Sequence, residues 1–488
     1  MTSLYDLGCY DQAIWTASQG GTLLNSFNGL GQTINWLAIH FQPILYLFVP
    51  LYKLYPSVHW LTLSQSAALA LSALPIFAIA AQVTQSEKHA LLWACIYLLN
   101  PFVIAAATWD FHEVSLATFF ISLGLYAIVK KRLRLLLTAC FLLLACKEHF
   151  GLTVAGLGVV YGTVHKDWRI GTGITMAGLL TIAVVIGAIM PAYSPTGQHL
   201  MVKPASGLEG SASRYGWLGN SLDTVIENLF LHPWTVLKIV FGNMDGGSYL
   251  FGLGILFLFL PVMTPLWLIP TASDLLANLL SANPMPRNIF SYHSATLIPF
   301  LTLAALFSLQ KRRPLLKSLS GLGILKLTLC LQLMLAYYVA PLPLLGAVNY
   351  WQPVHVMASF DKRETLVQQI VGNGTLSVQA NLGAHFSQRN AIYSFPEHID
   401  QSDFIVLKLD SPTLRTAPDD PGVFGTLAHH FHLHLTDYLS QIEQLLSNKN
   451  YKLLYWNDPW LVLGKAPKTL SYSSIELVRS KIQSLRLK

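Results

Sequence analysis

Long uninterrupted apolar runs constrain this chain more than any other feature. Segments such as 61–83, 170–191 and 249–270 are nearly free of charge. Each is about as long as the roughly 20 residues a helix needs to cross a hydrocarbon core. No water is present there to satisfy the backbone, so runs of this length fold as helices. A membrane barrel would show short alternating segments instead, and the sequence has none. Composition agrees: 53% of the 488 residues are hydrophobic and 11% are charged, with a mean hydropathy of +0.47. Soluble domains carry about 25% charged residues, so a soluble chain this poor in charge could not cover its own surface.

The runs predict crossings at about 61–83, 90–108, 114–130, 134–147, 150–164, 170–191, 226–243, 249–270, 294–310 and 326–345. The segment 41–55 is apolar but short and holds Pro43 and Pro50, which suits a helix lying at the interface. The net charge of +7 is uneven. Residues 1–345 hold 18 lysines and arginines against 12 acids, and residues 346–488 hold 13 against 12. The basic residues cluster in three loops: Lys130, Lys131, Arg132 and Arg134; Lys166 and Arg169; Lys311, Arg312, Arg313 and Lys317. The threading puts all three on one side, which the positive-inside rule makes cytoplasmic. The excess therefore reports orientation and gives no reason to expect nucleic-acid binding. The five cysteines all lie in the first 345 residues, with no metal-like spacing and no disulfide framework.

The character of the chain changes near Asn349. TLSVQANLGAHFSQRNAIYSF reads as strand, short helix, strand, and SDFIVLKLD as another strand. TDYLSQIEQLLSNKN has the spacing of an amphipathic helix, followed by two strands around a turn at Asn457–Asp458–Pro459. The fold class expected is thus an α-helical polytopic membrane domain of about ten transmembrane helices over 1–345, followed by a small α/β domain over 346–488. No GxGxxG or phosphate-binding loop is present. His429, His430, His432 and His434 are close in sequence but sit in polar, helix-like surroundings, so surface histidines are favoured over a metal site.

Ionisable groups near a membrane are costly and often functional. On the side opposite the basic loops they gather at loop ends: Asp6 and Asp11 in YDLGCYDQ, Asp110, His112 and Glu113 in TWDFHE, Lys147, Glu148 and His149 in KEH, and Arg287, Tyr292 and His293 in NPMPRNIFSYHS. Carboxylates there suit a general base or a divalent cation, and cations suit an anionic group such as a phosphate. Each has a plainer reading. Asp6 and Asp11 can be solvated surface, and Asp110 and Glu113 can favour a helix N-terminus. Lys147 and Glu148 can neutralise each other, and Arg287 can reach to headgroups. Residue types alone leave enzyme and transporter open.

Together, YDLGCYDQAIW, HFQPILYLFVPLY, WDFHEV, KEH, SYHSATLIPF and VQANLGAHFSQRNAIYSFP resemble the bacterial membrane-protein family called domain of unknown function 2079, from residue 4 to about 464. That family resembles a branch of the C-type glycosyltransferases, polytopic enzymes that take a sugar from a polyprenyl-phosphate carrier. The resemblance implies a C-type fold and an Asp in the first outer loop acting as base or metal ligand, a place matched by Asp6. Asp110 and Glu113 stand where a second acidic motif is expected. It implies Lys147, Arg287 and His293 as partners of the lipid phosphate, with Asp6 and Asp110 as metal ligands if a divalent cation (Mg or Mn) takes part. The implied partners are the bilayer, the polyprenyl-phosphate-linked sugar and a glycan, lipid or protein acceptor. The implied location is the bacterial cell membrane, multi-pass, with the C-terminal domain outside the cytoplasm.

Two departures stand out. The family has a transmembrane helix before its YDLG motif, which begins here at Tyr5. Its KED-like motif reads KEH here, with His149 in place of an acid, which alters the pKa of any base at that position. The alternatives to a glycosyltransferase are a transporter or flippase, which would show ionisable groups near the bilayer midplane and internal repeats, and an inactive envelope protein.

Overall fold

The structure is a computed structural model that describes residues 4–27, 32–197, 200, 215–219, 222–289, 291–312, 321–339, 362–409, 435–448, 450–465 and 472–486. They fall into two compact units. One joins 1–35 and 46–58 with 354–488, and the other holds 36–45 and 59–353. The boundary read from sequence, between 345 and 346, is drawn differently here, because the start of the chain packs with the C-terminal part. The histidines at 429, 430, 432 and 434 lie outside the described residues.

The larger unit is helical. Among the described residues, three of its helices are long and apolar enough to span a bilayer: His59–Thr84 and Trp168–Tyr193, of 26 residues each, and Gly321–Tyr338, of 18. Glu87–Leu98 and Pro101–Thr108 form a fourth if taken together, bent by 51° at the break. The break has a local cause. The Asn100 side chain accepts a hydrogen bond from the Phe102 N–H at 3.1 Å, and Pro101 supplies a first helical residue that needs no donor. Other apolar helices, such as Glu113–Val129, Leu133–Cys146 and Phe150–His165, are shorter. At 1.5 Å per residue they reach about 25 Å at most, short of a ~30 Å core.

Two further expected crossings are not single helices. The segment 226–243 divides into Leu222–Leu231 and Pro233–Gly242, because Pro233 cannot continue the hydrogen-bond ladder. The segment 249–270 is helical only over Gly246–Ile255. Leu258 and Phe259 then adopt φ of 52° and 55°, and Pro261, Pro265 and Pro270 hold the rest in short 3₁₀ turns. Apolar length alone does not reveal such breaks.

Phe150–His165 and Trp168–Val184 pair as a tight hairpin. A Cβ on Gly171 would stand 2.7 Å from the Gly162 Cα, so glycines let the two backbones touch. On another face of Phe150–His165, a Cβ on Gly156 would stand 2.6 Å from the Pro270 Cα. That approach draws the following helix, Ala272–Leu280, against the start of Phe150–His165.

The smaller unit holds a hairpin of β1 (Leu24–Asn25) and β2 (Ile34–Asn35) and a five-stranded sheet. The sheet consists of β3 (Leu376–Val378), β4 (Ile392–Ser394), β5 (Phe404–Lys408), β6 (Lys452–Asn457) and β7 (Trp460–Gly464). Its order is β4-β3-β5-β7-β6. β3 runs parallel to β4 and β5, with Leu376 opposite Ile392 and Phe404, whereas β7 is antiparallel to β5 and β6. Ile405, Leu407, Leu461 and Leu463 point to one face, as period-2 alternation requires. There they bury Tyr438, Leu439 and Ile442 of helix Leu435–Ser447, and Val478 and Ile482 of helix Tyr472–Arg486. Every strand and helix expected between 375 and 464 within the described residues is present. The start of the chain docks by hydrogen bonds. Ser26 Oγ accepts from the Ile392 N–H at 2.8 Å and donates to the Ile392 carbonyl at 2.9 Å. Gln12 Nε2 donates to the Arg389 carbonyl at 3.0 Å.

Candidate functional site

Three of the four charged motifs meet in the helical unit. TWDFHE forms the turn before helix Glu113–Val129, and KEH joins Leu133–Cys146 to Phe150–His165. Lys147 leaves the helix with extended backbone, and its Nζ lies 3.1 Å from Glu113 Oε1, whose side chain is fully buried. The chain-neighbour pairing of Lys147 with Glu148 is therefore not the main one. Glu148 instead accepts the Phe41 N–H at 3.0 Å and contacts His40 Nδ1 at 3.2 Å. Burial pushes the Glu148 carboxyl up, but His40, Lys147 and His149 outweigh it and hold the group well below the usual carboxylate range.

The TWDFHE turn is held by Gln65, a residue sequence reading passed over. Its Nε2 donates to the carbonyls of Ala106 at 3.1 Å and Trp109 at 2.8 Å. Its Oε1 accepts from the His112 N–H at 2.9 Å and the Ser115 hydroxyl at 3.1 Å. A lone glutamine inside an apolar run was the available signal, since buried polar groups need partners. The turn presents its rings to the third motif. His112 stacks on Tyr292 at 3.6 Å between centroids, and Tyr292 on His293 at 4.0 Å. Tyr292 also lies near Lys147. Asp110 is half-buried beside this stack, its carbonyl 3.1 Å from His112 Nδ1.

Arg287 is tied to backbone. One of its terminal nitrogens donates to the carbonyls of Asn278 at 2.8 Å and Ser281 at 2.5 Å, closing the end of helix Ala272–Leu280 as a cation does at a helix C-terminus. Its Nε is buried without a hydrogen bond among the described residues. Asn278 in turn donates to the Tyr249 hydroxyl at 3.0 Å. The start of the same helix carries Asp274, which meets His149 Nε2 at 2.9 Å. Asp274 had no place among the residues picked from sequence. Its only mark was an acid inside a largely apolar stretch.

Asp6 and Asp11 belong to the other unit. Asp6 is half-buried in the turn Leu4–Gly8. Asp11 is 1% exposed. It accepts hydrogen bonds from Tyr52 at 2.8 Å, Ser387 at 2.5 Å and Gln388 at 3.1 Å. Burial raises its pKa against the pull of these donors. It lines a cleft of roughly 410 Å³ with Ser387, Gln388 and Arg389. Arg389 is itself buried and donates to the carbonyls of Phe386 and Gly374; burial lowers its pKa to about 10. Among the described residues no group of three or more His, Cys, Asp or Glu side chains is placed to hold a metal ion. The cation expected on Asp6 and Asp110 thus finds no such ligand set among the described residues.

A family model described as "Predicted membrane protein (DUF2079)" matches residues 1–419. No curated protein matches the chain, and no solved structure does.

Proposed function

The chain belongs to the DUF2079 family of predicted membrane proteins, and on that premise we propose a glycosyltransferase that moves a sugar from a polyprenyl-phosphate carrier to an acceptor hydroxyl at the outer face of the membrane. The observation that carries the reading is the gathering of TWDFHE, KEH and the 271–294 segment around the Glu113–Lys147 pair, at the ends of apolar helices. A lipid-phosphate leaving group gains negative charge as its bond to the sugar breaks, and a fixed cation nearby stabilises that charge. Lys147 and His293 take this role. Arg287, committed to helix carbonyls, serves the shape of the site. The acceptor hydroxyl is a weak nucleophile that needs a carboxylate or imidazole at its proton. Asp110, half-buried at the turn, is the carboxylate proposed to orient that hydroxyl. Glu113 and Glu148 are engaged by Lys147 and by Phe41 and His40. The reading includes about ten passes through the bilayer, the three basic loops inside and the α/β domain outside.

The test is turnover by purified protein with a panel of polyprenyl-phosphate sugars, beside Asp110→Asn. Transfer or hydrolysis of one carrier, lost in the variant, is expected. No use of any carrier sinks the reading. A topology reporter fused after Lys488 should be active only outside the cytoplasm. A flippase is the second reading, favoured by the 51° break at Asn100–Pro101, since transporters build binding sites at broken helices. Carrier movement across proteoliposomes without chemistry would favour it.

A further inference from the structure

We propose that His149 and Asp274 form a proton-transfer dyad in this site, with Asp274 as the positioning residue and His149 as the group that takes the acceptor proton. This rests on the glycosyltransferase reading and deepens it. His149, Thr153 and Gly156 follow one another at i, i+4 and i+7, on one face of the helix that begins at Phe150. Opposite them stand Asp274, Ser273 and Pro270. His149 Nε2 is 2.9 Å from Asp274 Oδ1, Thr153 Oγ1 is 2.8 Å from Ser273 Oγ, and Gly156 lets Pro270 approach closely. Three successive contacts fix the register, so the dyad is held by packing and not by a single hydrogen bond.

The two ring nitrogens are then unequal. Asp274 accepts from Nε2–H, which leaves the lone pair on Nδ1. Among the described residues Nδ1 has no hydrogen-bond partner, and the His149 side chain is 27% exposed. Asp274 is 6% exposed, and its second oxygen, Oδ2, is buried with no hydrogen bond among the described residues. A buried acceptor without a donor is unusual; here it keeps the carboxylate's charge for the imidazole. The other charges around His149 are already committed: Glu148 to His40 and Phe41, and Lys147 to Glu113. Tyr249 is the further titratable group within reach of Asp274.

The step balances as follows. The acceptor O–H bond breaks and its proton passes to His149 Nδ1. The freed electron pair forms the bond to the anomeric carbon, and the carbon–oxygen bond to the lipid phosphate breaks with its pair going to the phosphate. The imidazolium, stabilised by Asp274, then releases its proton to water. Asp110 orients the acceptor hydroxyl in this scheme. An imidazole suits the task because the best proton acceptor has a pKa near the working pH.

The experiment uses the full chain in detergent. Ethoxycarbonylation of histidines by diethyl pyrocarbonate, read by mass spectrometry from pH 5 to 8, reports the neutral imidazole at His149, with His149→Gln identifying the peptide. Asp274→Asn should lower the midpoint at His149 by about one pH unit, since a removed carboxylate no longer favours the cation. Unchanged rates at the other histidines show that the variant is folded. An unmoved midpoint overturns the dyad. Turnover with the polyprenyl-phosphate sugars supplies the second readout: Asp274→Asn should lower kcat tenfold or more and move the acid limb of the pH profile, and Asp274→Glu should recover part of it. Equal kcat and an equal profile in Asp274→Asn overturn the catalytic role. Absence of turnover in the unaltered protein defeats the glycosyltransferase reading itself and the proton's source with it, while the ethoxycarbonylation midpoint still decides whether Asp274 holds the His149 cation.

Discussion

The ammonium of Lys147 lies 3.1 Å from a carboxylate oxygen of Glu113, and the Glu113 side chain has no exposed surface. The two residues close adjoining loops, one at the end of a helix and one at the start of another. Lys147→Ala leaves a buried anion without its cation. Breaking a buried pair in this way costs about 3–5 kcal/mol. Thermal unfolding of the detergent-solubilised protein should show a large loss for Lys147→Ala and a clearly smaller one for the double variant Lys147→Met with Glu113→Gln.

Gln65→Leu keeps the volume but removes four hydrogen bonds that hold the TWDFHE turn. Each buried group left without a partner costs about 1–3 kcal/mol. A lower unfolding temperature and altered Trp109 fluorescence are expected, with turnover reduced because the His112–Tyr292 stack loses its support. A variant as stable as the parent would show that the turn holds itself.

Gly171 and Gly173 stand on the same helix in opposite situations. A Cβ at 171 meets Gly162 and Gly158 backbone, whereas a Cβ at 173 meets nothing within 4 Å. Gly171→Ala should destabilise by about 1–3 kcal/mol as overpacking does. Gly173→Ala should be neutral or slightly stabilising. Equal unfolding temperatures would mean that the hairpin can open without cost.

Asp11 gives a pH dependence of the opposite sign to a salt-bridged carboxylate. Its folded pKa is raised by burial, so the folded state binds the proton more tightly than the unfolded chain. Its contribution is therefore full below the ordinary carboxylate pKa and falls as pH rises through the raised value. Asp11→Asn should flatten this part of the stability profile, gaining on the parent as pH rises from 4 towards 7. Unfolding of parent and variant across that range decides it; parallel profiles would show that Tyr52, Ser387 and Gln388 cancel the burial.

Much of the fold was legible in the residues. Period-2 alternation in SDFIVLKLD and YKLLYW, and the apolar spacing of Tyr438, Leu439 and Ile442, are local signals that survive in β5, β6 and the helix Leu435–Ser447. The charged loop motifs were also visible, because an ionisable group next to an apolar run has few plain explanations. The breaks at His232–Pro233 and after Ile255 were harder to see. Apolar length does not say whether a proline will be accommodated by a kink or will end the helix.

The sequence by itself determined that this chain carries the apolar helices of a membrane protein, that strands form in its C-terminal part, and which residues carry charge at the helix ends. Those properties follow from transfer free energy and side-chain periodicity, which act over neighbouring residues. Only the tertiary structure decided that Lys147 answers Glu113 and not its neighbour Glu148. The same holds for the first residues packing with the C-terminal unit, and for Asp274, absent from every motif, standing at His149. The last of these depends on which backbones can approach, and that is set by small residues such as Gly156 against Pro270, more than a hundred residues away. Contacts at that range leave no pattern in a single sequence.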